Sequence, residues 1–86
     1  MSYTEENVMV PLCTSLRLKT KGFDLEPSYK NISNWFRDKY GLYLFVYEHM
    51  EYENVFLGYI GDMEVIEAGS YAFVVNKVIE NALDLI

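Results

Sequence analysis

The residues best suited to chemistry form a short cluster after an aromatic-rich stretch in the middle of the chain. His49 is the only histidine, with Glu48, Glu51 and Glu53 around it. Imidazole and carboxylate groups can together bind a metal ion, but neighbouring residues of a strand point to opposite faces, so Glu48 diverges from His49. Structural zinc usually takes four ligands, mostly Cys and His. We therefore interpret the cluster as a solvated strand end and turn, without a metal site.

The single cysteine, Cys13, is the other candidate for chemistry, as a nucleophile. A catalytic thiol must ionise readily and needs a base beside it. His49 is the one imidazole, and nothing in the sequence brings it close. We interpret Cys13 as a small residue on the inward face of a helix, beside Leu12 and Leu16. The sequence also lacks a nucleophile-elbow serine and a glycine-rich phosphate loop. We expect no catalytic residue, no cofactor and no enzyme activity.

The composition predicts a single domain in the cytoplasm. Eighty-six residues suit one domain, and eight Tyr, five Phe and one Trp can fill a small core without disulfide or metal support. One cysteine excludes an internal disulfide, which fits a reducing compartment. The first dozen residues are acidic where a secretory leader is basic, and their apolar run is too short for a membrane span. Residues 1–6 are expected to be flexible.

Charge is distributed unevenly along the chain. Residues 1–39 carry six Lys or Arg against five acids, whereas residues 40–86 carry eight acids and only Lys77. The net charges of the two parts are therefore +1 and −7. Nucleic-acid binding depends on clustered basic residues over phosphates, so the acidic half disfavours it. The basic stretch Arg17–Lys21 keeps nucleic-acid binding as a third and weaker hypothesis.

Residues 10–21 carry the pattern of a short helix, although part of the segment also alternates like a strand. Pro11 near the start, basic residues in the last turn and Gly22 after it are typical helix punctuation. In a helix, the residues of one face would be Leu12, Ser15 and Leu16.

A second helix is predicted over residues 28–40. Ser28 can cap its first turn, and Gly41 supplies a left-handed end. Its apolar residues recur at helical spacing, and we expect them in the core: Ile32, Trp35, Phe36 and Tyr40.

After Gly41 the hydrophobic period changes to two, which predicts strands. Leu42, Leu44 and Val46 point to one face, and Tyr43, Phe45 and Tyr47 point to the other. Residues 55–60 and 63–68 follow as two further strands, joined by a turn at Gly61 and Asp62.

The chain closes with a predicted helix that starts after Ser70, its candidate cap. The apolar stripe of this helix comprises Val74, Val75, Val78, Ala82, Leu83 and Leu85 or Ile86. The predicted fold class is α+β, with two N-terminal helices, a three-stranded antiparallel meander and a C-terminal helix packed on one sheet face.

Three motifs resemble a family of small proteins from phages, prophages and other mobile elements of gut bacteria. They are K-G-F at Lys21–Phe23, W-F-R-D-K-Y-G at Trp35–Gly41, and S-Y at Ser70–Tyr71 followed by A-L-x-L-I at Ala82–Ile86. The resemblance covers most of residues 10–86, but its motifs mark helix ends and junctions. It implies a mobile-element origin and no particular activity.

The strand aromatics raise the question of what lies on the second face of the sheet. If the helices cover one face, the other presents adjacent rings, and Phe56 joins them if the hairpin register matches. An acidic stretch follows, with no Lys or Arg between Lys39 and Lys77. These acids also suit a solvated sheet edge that resists aggregation. The interface candidates are Tyr43, Phe45, Tyr47, Phe56, Glu48, Glu51, Glu53, Glu64 and Glu67.

The sequence thus favours a non-catalytic protein-interaction module. The leading hypothesis is a homo-oligomer, or a binder of a host or phage protein, that uses the aromatic sheet face with its acidic flanks. The alternative is an acidic decoy that inhibits a nucleic-acid-handling host protein. Neither hypothesis involves a membrane.

Overall fold

The computed structural model describes residues 10–86, and in this range three helices accompany one antiparallel sheet. In chain order the elements are α1 (Leu12–Thr20), α2 (Tyr29–Tyr40), β1 (Leu44–Glu48), β2 (Phe56–Ile60), β3 (Met63–Ala68) and α3 (Tyr71–Asp84). The strands are ordered β1-β2-β3, and α3 contacts all three strands and both other helices. The α+β prediction is confirmed. The predicted flexibility of residues 1–6 lies outside the described residues. None of the helices between residues 10 and 86 is long and apolar enough to cross a membrane.

Side-chain caps and a glycine set the helix ends where the sequence predicts them. The hydroxyl oxygen of Ser28 accepts the Asn31 N–H, and that of Ser70 accepts the Phe73 N–H, both at 3.3 Å. Such caps typically contribute about 0.5–2 kcal/mol. Gly41 ends α2 with a φ of 69°, in the left-handed region that favours glycine.

Helix α1 confirms the helical interpretation of residues 10–21, but a different face of it is buried. The buried residues are Thr14, Ser15 and Leu18. Leu12 is 74% exposed and Leu16 is 52% exposed.

Polar contacts with α3 explain this rotation of α1. The Thr14 hydroxyl donates to Asn76 Oδ1 at 3.1 Å, and the Arg17 guanidinium lies 2.8 Å from Asp84 Oδ1. These contacts turn Thr14 and its neighbours on that face toward α3 and leave the opposite face in solvent. Of the residues predicted to face inward, Ser15 is buried, whereas the prediction is wrong for Leu12, Leu16 and Cys13, which are exposed.

The apolar stripe of α3 forms the centre of the core. Its buried residues are Val74, Val75, Val78, Ile79, Ala82 and Leu83. They share one cluster with Leu18 of α1, Phe36 of α2 and Ile60 of β2. Fully burying one Val, Leu, Ile or Phe side chain stabilises the fold by about 1.5–3 kcal/mol. At the C-terminal end the stripe continues through Ile86, which packs against the core, whereas Leu85 is 57% exposed.

The aromatic residues of α2 divide between the core and its rim. Phe36 is fully buried, and Trp35 packs against the cluster with its ring edge-on to Phe23, 5.6 Å between centroids. Tyr40 is 36% exposed, so its prediction as a core residue is wrong. It lies in the last turn of the helix, where the Lys39 ammonium sits 5.7 Å from its ring centroid.

A glycine at the centre of β2 allows α3 to approach the sheet closely. A Cβ atom added at Gly58 would lie 2.3 Å from Val78 Cγ2 and 2.9 Å from Val74 Cγ1. Both valines are fully buried. The sheet and the helix therefore touch at a position where no side chain larger than hydrogen fits without displacement.

We expect Gly58→Ala to destabilise the protein by about 1–3 kcal/mol, because the added methyl group displaces the valines of α3. Urea denaturation followed by circular dichroism measures the change. The control is Gly69→Ala, where the nearest atom to the added Cβ, the Asn54 carbonyl oxygen, is at an ordinary contact distance of 3.5 Å. Equal stabilities of the two variants would contradict the close approach.

Candidate protein-binding face of the sheet

Within residues 10–86, no helix covers the face of the sheet opposite α3. Along β1, Leu44 is buried and Val46 is half-buried on the helix side, whereas Phe45 is 36% and Tyr47 52% exposed. Gly58 identifies the helix side, since its missing Cβ would point at α3. The predicted alternation over residues 42–47 is confirmed. Leu42, Leu44 and Val46 face the helices, and Tyr43, Phe45 and Tyr47 face the open side of the sheet.

Cross-strand pairing places the rings of the open face beside one another. Phe45 is opposite Tyr59, and Tyr47 is opposite Leu57. The Phe45 and Tyr47 rings stack with centroids 5.8 Å apart, and Tyr59 meets Tyr47 edge-on at 5.8 Å. Aromatic pairs of this kind are worth about 0.5–1.5 kcal/mol beyond their burial, which holds the rings in place. We call Tyr43, Phe45, Tyr47, Leu57 and Tyr59 the aromatic face.

The third strand borders the aromatic face with carboxylates. Glu64 is opposite Tyr59, and Glu67 is opposite Leu57, so both lie on the open side of the sheet. Both are exposed. We call these two residues the acidic border. Two rows of paired residues therefore cross the open side of the sheet and end in an acid on β3. They are Phe45–Tyr59–Glu64 and Tyr47–Leu57–Glu67.

The remaining predicted acids lie elsewhere. Glu48 is opposite Phe56, and its side chain therefore belongs to the helix side of the sheet. Glu51 and Glu53 are exposed in the loop between β1 and β2. Of the acidic interface candidates, only the acidic border shares a side with the aromatic face.

The structure corrects the prediction for Phe56. Its partner in the hairpin is Glu48, not Tyr47, and this register turns Phe56 inward, where it is 7% exposed. There its ring meets Tyr71 edge-on at 5.5 Å. Leu57 and Tyr59 take the outward positions that the sequence interpretation missed. The alternation of residues 56–60 could have indicated this, because placing Phe56, Gly58 and Ile60 on the core side turns Leu57 and Tyr59 outward.

His49 organises the loop that follows β1. Its Nδ1 accepts the backbone N–H of Glu51 at 3.0 Å, and its ring lies 4.8 Å from that of Tyr52. Its Nε2 is 3.9 Å from Glu67 Oε2 on β3, the strand at the far edge of the sheet. No three His, Cys, Asp or Glu residues of the described chain are grouped so that they could hold a metal ion.

Comparison with protein-family models, curated proteins and solved structures gives no significant match. The resemblance to small phage and prophage proteins therefore depends on the three short motifs alone.

The two phenylalanines of the hairpin give a direct test of which side of the sheet is buried. We expect Phe56→Ala to cost about 3–5 kcal/mol of stability, because it leaves a cavity between the sheet and α3. Phe45→Ala removes the same atoms from the open face, and we expect a cost below about 1 kcal/mol, mainly the lost ring stacking. Chemical denaturation of both variants measures the difference. A larger loss for Phe45→Ala would show that the aromatic face is not open.

Proposed function

We propose that the protein is a non-catalytic interaction module of phage or mobile-element origin. It binds a second copy of itself, or another protein of the host or phage, through the aromatic face. The observation that carries this proposal is the set of adjacent, partly exposed rings on a sheet face that no described helix covers. Isolated exposed rings are ordinary on soluble proteins, but contiguous ones commonly mark an interaction site.

The rigidity of the face supports a role in binding. The rings of Phe45, Tyr47 and Tyr59 hold one another, and the strands beneath them are backed by α3. A surface that is already ordered loses little conformational entropy when a partner docks, so more of the contact energy appears as affinity. Tyrosine adds amphipathic chemistry, because its ring packs on apolar atoms while its hydroxyl remains hydrated or bonds to the partner.

The charge around the face indicates which partners suit it. Glu64 and Glu67 border the rings, and the sequence between Lys39 and Lys77 has no Lys or Arg. A basic surface on the partner would complement this border. Guanidinium groups can also stack on tyrosine rings, so arginine would engage both parts of the face.

The direct test places a charge among the rings. We expect Phe45→Glu and Tyr43→Lys to remain folded, because both residues are exposed, and to lose the partner, because a buried unpaired charge in an interface costs several kcal/mol. Sedimentation equilibrium measures self-association. Affinity capture of the tagged protein from lysate of its native host measures binding to another protein.

The matched control is Leu16→Glu, since Leu16 is 52% exposed on α1, away from the aromatic face. It should bind like the unmodified protein. If both face variants keep the mass and the captured protein of the unmodified chain, the aromatic face is not the binding site.

The alternative is a decoy that inhibits a nucleic-acid-handling host protein. It is supported by the net charge of −7 over residues 40–86 and by the exposed acids of the β1–β2 loop, Glu51 and Glu53. Charges on such a surface would act mainly on the association rate and on the choice of partner.

A decoy has a distinct salt dependence. We expect the double variant Glu51→Lys and Glu64→Lys to abolish binding to such a target, and moderate salt to release the target from the unmodified protein. Binding through the aromatic face should instead survive moderate salt. Capture at about 50 and 300 mM salt separates the two, since the Debye length falls from about 14 to about 6 Å.

A further inference from the structure

The hydrogen-bond pattern of the hairpin identifies which residues of β1 face its outer edge. The Gly61 N–H donates to the Tyr43 carbonyl, and the His49 N–H donates to the Val55 carbonyl, each at 2.7 Å. Bonded and non-bonded pairs alternate along an antiparallel ladder. Residues 45 and 47 therefore bond to β2, and residues 44, 46 and 48 direct their backbone groups away from it.

A side chain on the outer edge supports this assignment. The Tyr29 hydroxyl donates to the carbonyl oxygen of Leu44 at 3.2 Å, which requires that carbonyl to point outward. Farther along the same edge, no hydrogen bond within residues 10–86 engages the N–H or carbonyl of Val46 or the N–H of Glu48. Part of β1 therefore presents backbone donors and acceptors that no residue between 10 and 86 uses.

The other outer strand, β3, has features that hinder pairing with another chain, and most of β1 lacks them. Strand β3 carries Glu64 and Glu67, and its ladder with β2 is irregular at Gly58 and Tyr59. Charges and bulges are the features by which edge strands resist pairing with another chain. Strand β1 has one charged residue, Glu48 at its end; residues 44–47 contain no charge and no proline, and the register of β1 with β2 is regular.

We propose that two copies of the chain pair through the outer edges of β1, antiparallel and centred on Tyr47. In this register Val46 bonds to the partner's Glu48, and Glu48 bonds to the partner's Val46, whereas Leu44, whose carbonyl accepts the Tyr29 hydroxyl, makes no bond to the partner. Tyr47 then lies opposite the partner's Tyr47 on the open side of the sheet. The two three-stranded sheets become one continuous sheet with the helices of both copies on the same side.

Charge complementarity favours the antiparallel direction and a second copy as the occupant. Arg37, Asp38 and Lys39 lie in the last turn of α2, before β1, with a net charge of +1, whereas Glu48 ends the strand and Glu51 and Glu53 follow it. Antiparallel pairing brings the basic end of each copy beside the acidic end of the other. Parallel pairing would place like charges together.

Pairing of this kind goes beyond the proposed function, because each copy completes the binding face of the other. Phe45 and Tyr47 of both copies adjoin at the seam, so two aromatic faces form one platform with an acidic border on each outer side. The pairing depends on backbone groups at the edge, whereas the proposed function depends on the rings. Each can therefore fail without the other.

Cysteine cross-linking tests the register. In a Cys13→Ser background, Tyr47→Cys and Phe45→Cys proteins are oxidised separately. Residues opposite each other in a non-bonded pair have Cα atoms about 4.5 Å apart, within disulfide reach. We expect the Tyr47→Cys protein to form a disulfide dimer several-fold more efficiently than the Phe45→Cys protein.

The control mixture pairs Phe45→Cys with Glu64→Cys, which lies on the far strand and should not cross-link. Efficient linking in this mixture, or of Phe45→Cys with itself, would indicate stacking of the open faces and would overturn edge pairing. Sedimentation showing only monomer at about millimolar concentration of the unmodified protein would overturn it as well.

A proline substitution tests the edge independently. Glu48→Pro removes an N–H that points outward, which edge strands tolerate, and leaves the ladder with β2 intact. Each copy loses one donated bond at the seam, so we expect the dimer dissociation constant to rise about tenfold or more. Glu48→Ala keeps the N–H and should change the constant by no more than a few-fold. Equal dimerisation of the two variants, with both folded by circular dichroism, would contradict the proposal.

Discussion

The contact between α3 and the sheet at Gly58 is the constraint on which the rest of the structure depends. Helix α3 is the one element that touches all three strands and both other described helices, so it joins every part of residues 10–86. Its valines at 74 and 78 are fully buried against a strand position without a side chain. A helix held this close buries its stripe of small branched residues completely. A larger residue at position 58 would lift α3 and loosen its contacts with α1, α2 and the outer strands together.

One helix layer on one sheet face also explains why the second face is available. Helices α1 and α2 contact α3, and α2 also contacts β1, so the described helices supply no cover for the opposite side. A small domain has little surface to bury, and rings on an open face add less stability than rings in the core. The stability of this fold therefore depends on Phe36 and Phe56 far more than on Phe45 and Tyr47. Residues that contribute little to folding are the ones that can be used for binding.

Local signals allowed most of the fold to be predicted, and long-range contacts account for the rest. Ser28, Gly41 and Ser70 mark helix ends through bonds to residues nearby in sequence, so each could be identified from its neighbours. Phe56 was assigned to the wrong face because the pairing register, and not its local pattern, decides its side. The leucines of α1 were assigned inward because the rotation of that helix depends on Asp84 and Asn76, more than 60 residues away. The aromatic face was predictable on β1, whereas Leu57 and Tyr59 required the register.

The alternation of residues along β1 separates its role in the core from the two roles proposed for it, edge pairing and partner binding. Leu44 and Val46 direct side chains toward the helices and backbone groups toward the outer edge. Phe45 and Tyr47 do the reverse, with side chains in solvent and backbone bonds to β2. Core packing and the proposed edge pairing thus use the even positions, and the proposed binding face uses the odd ones. Because the two sets share no groups, a change of ring chemistry at an odd position can alter partner choice while the backbone of the edge and the packing beneath it remain intact.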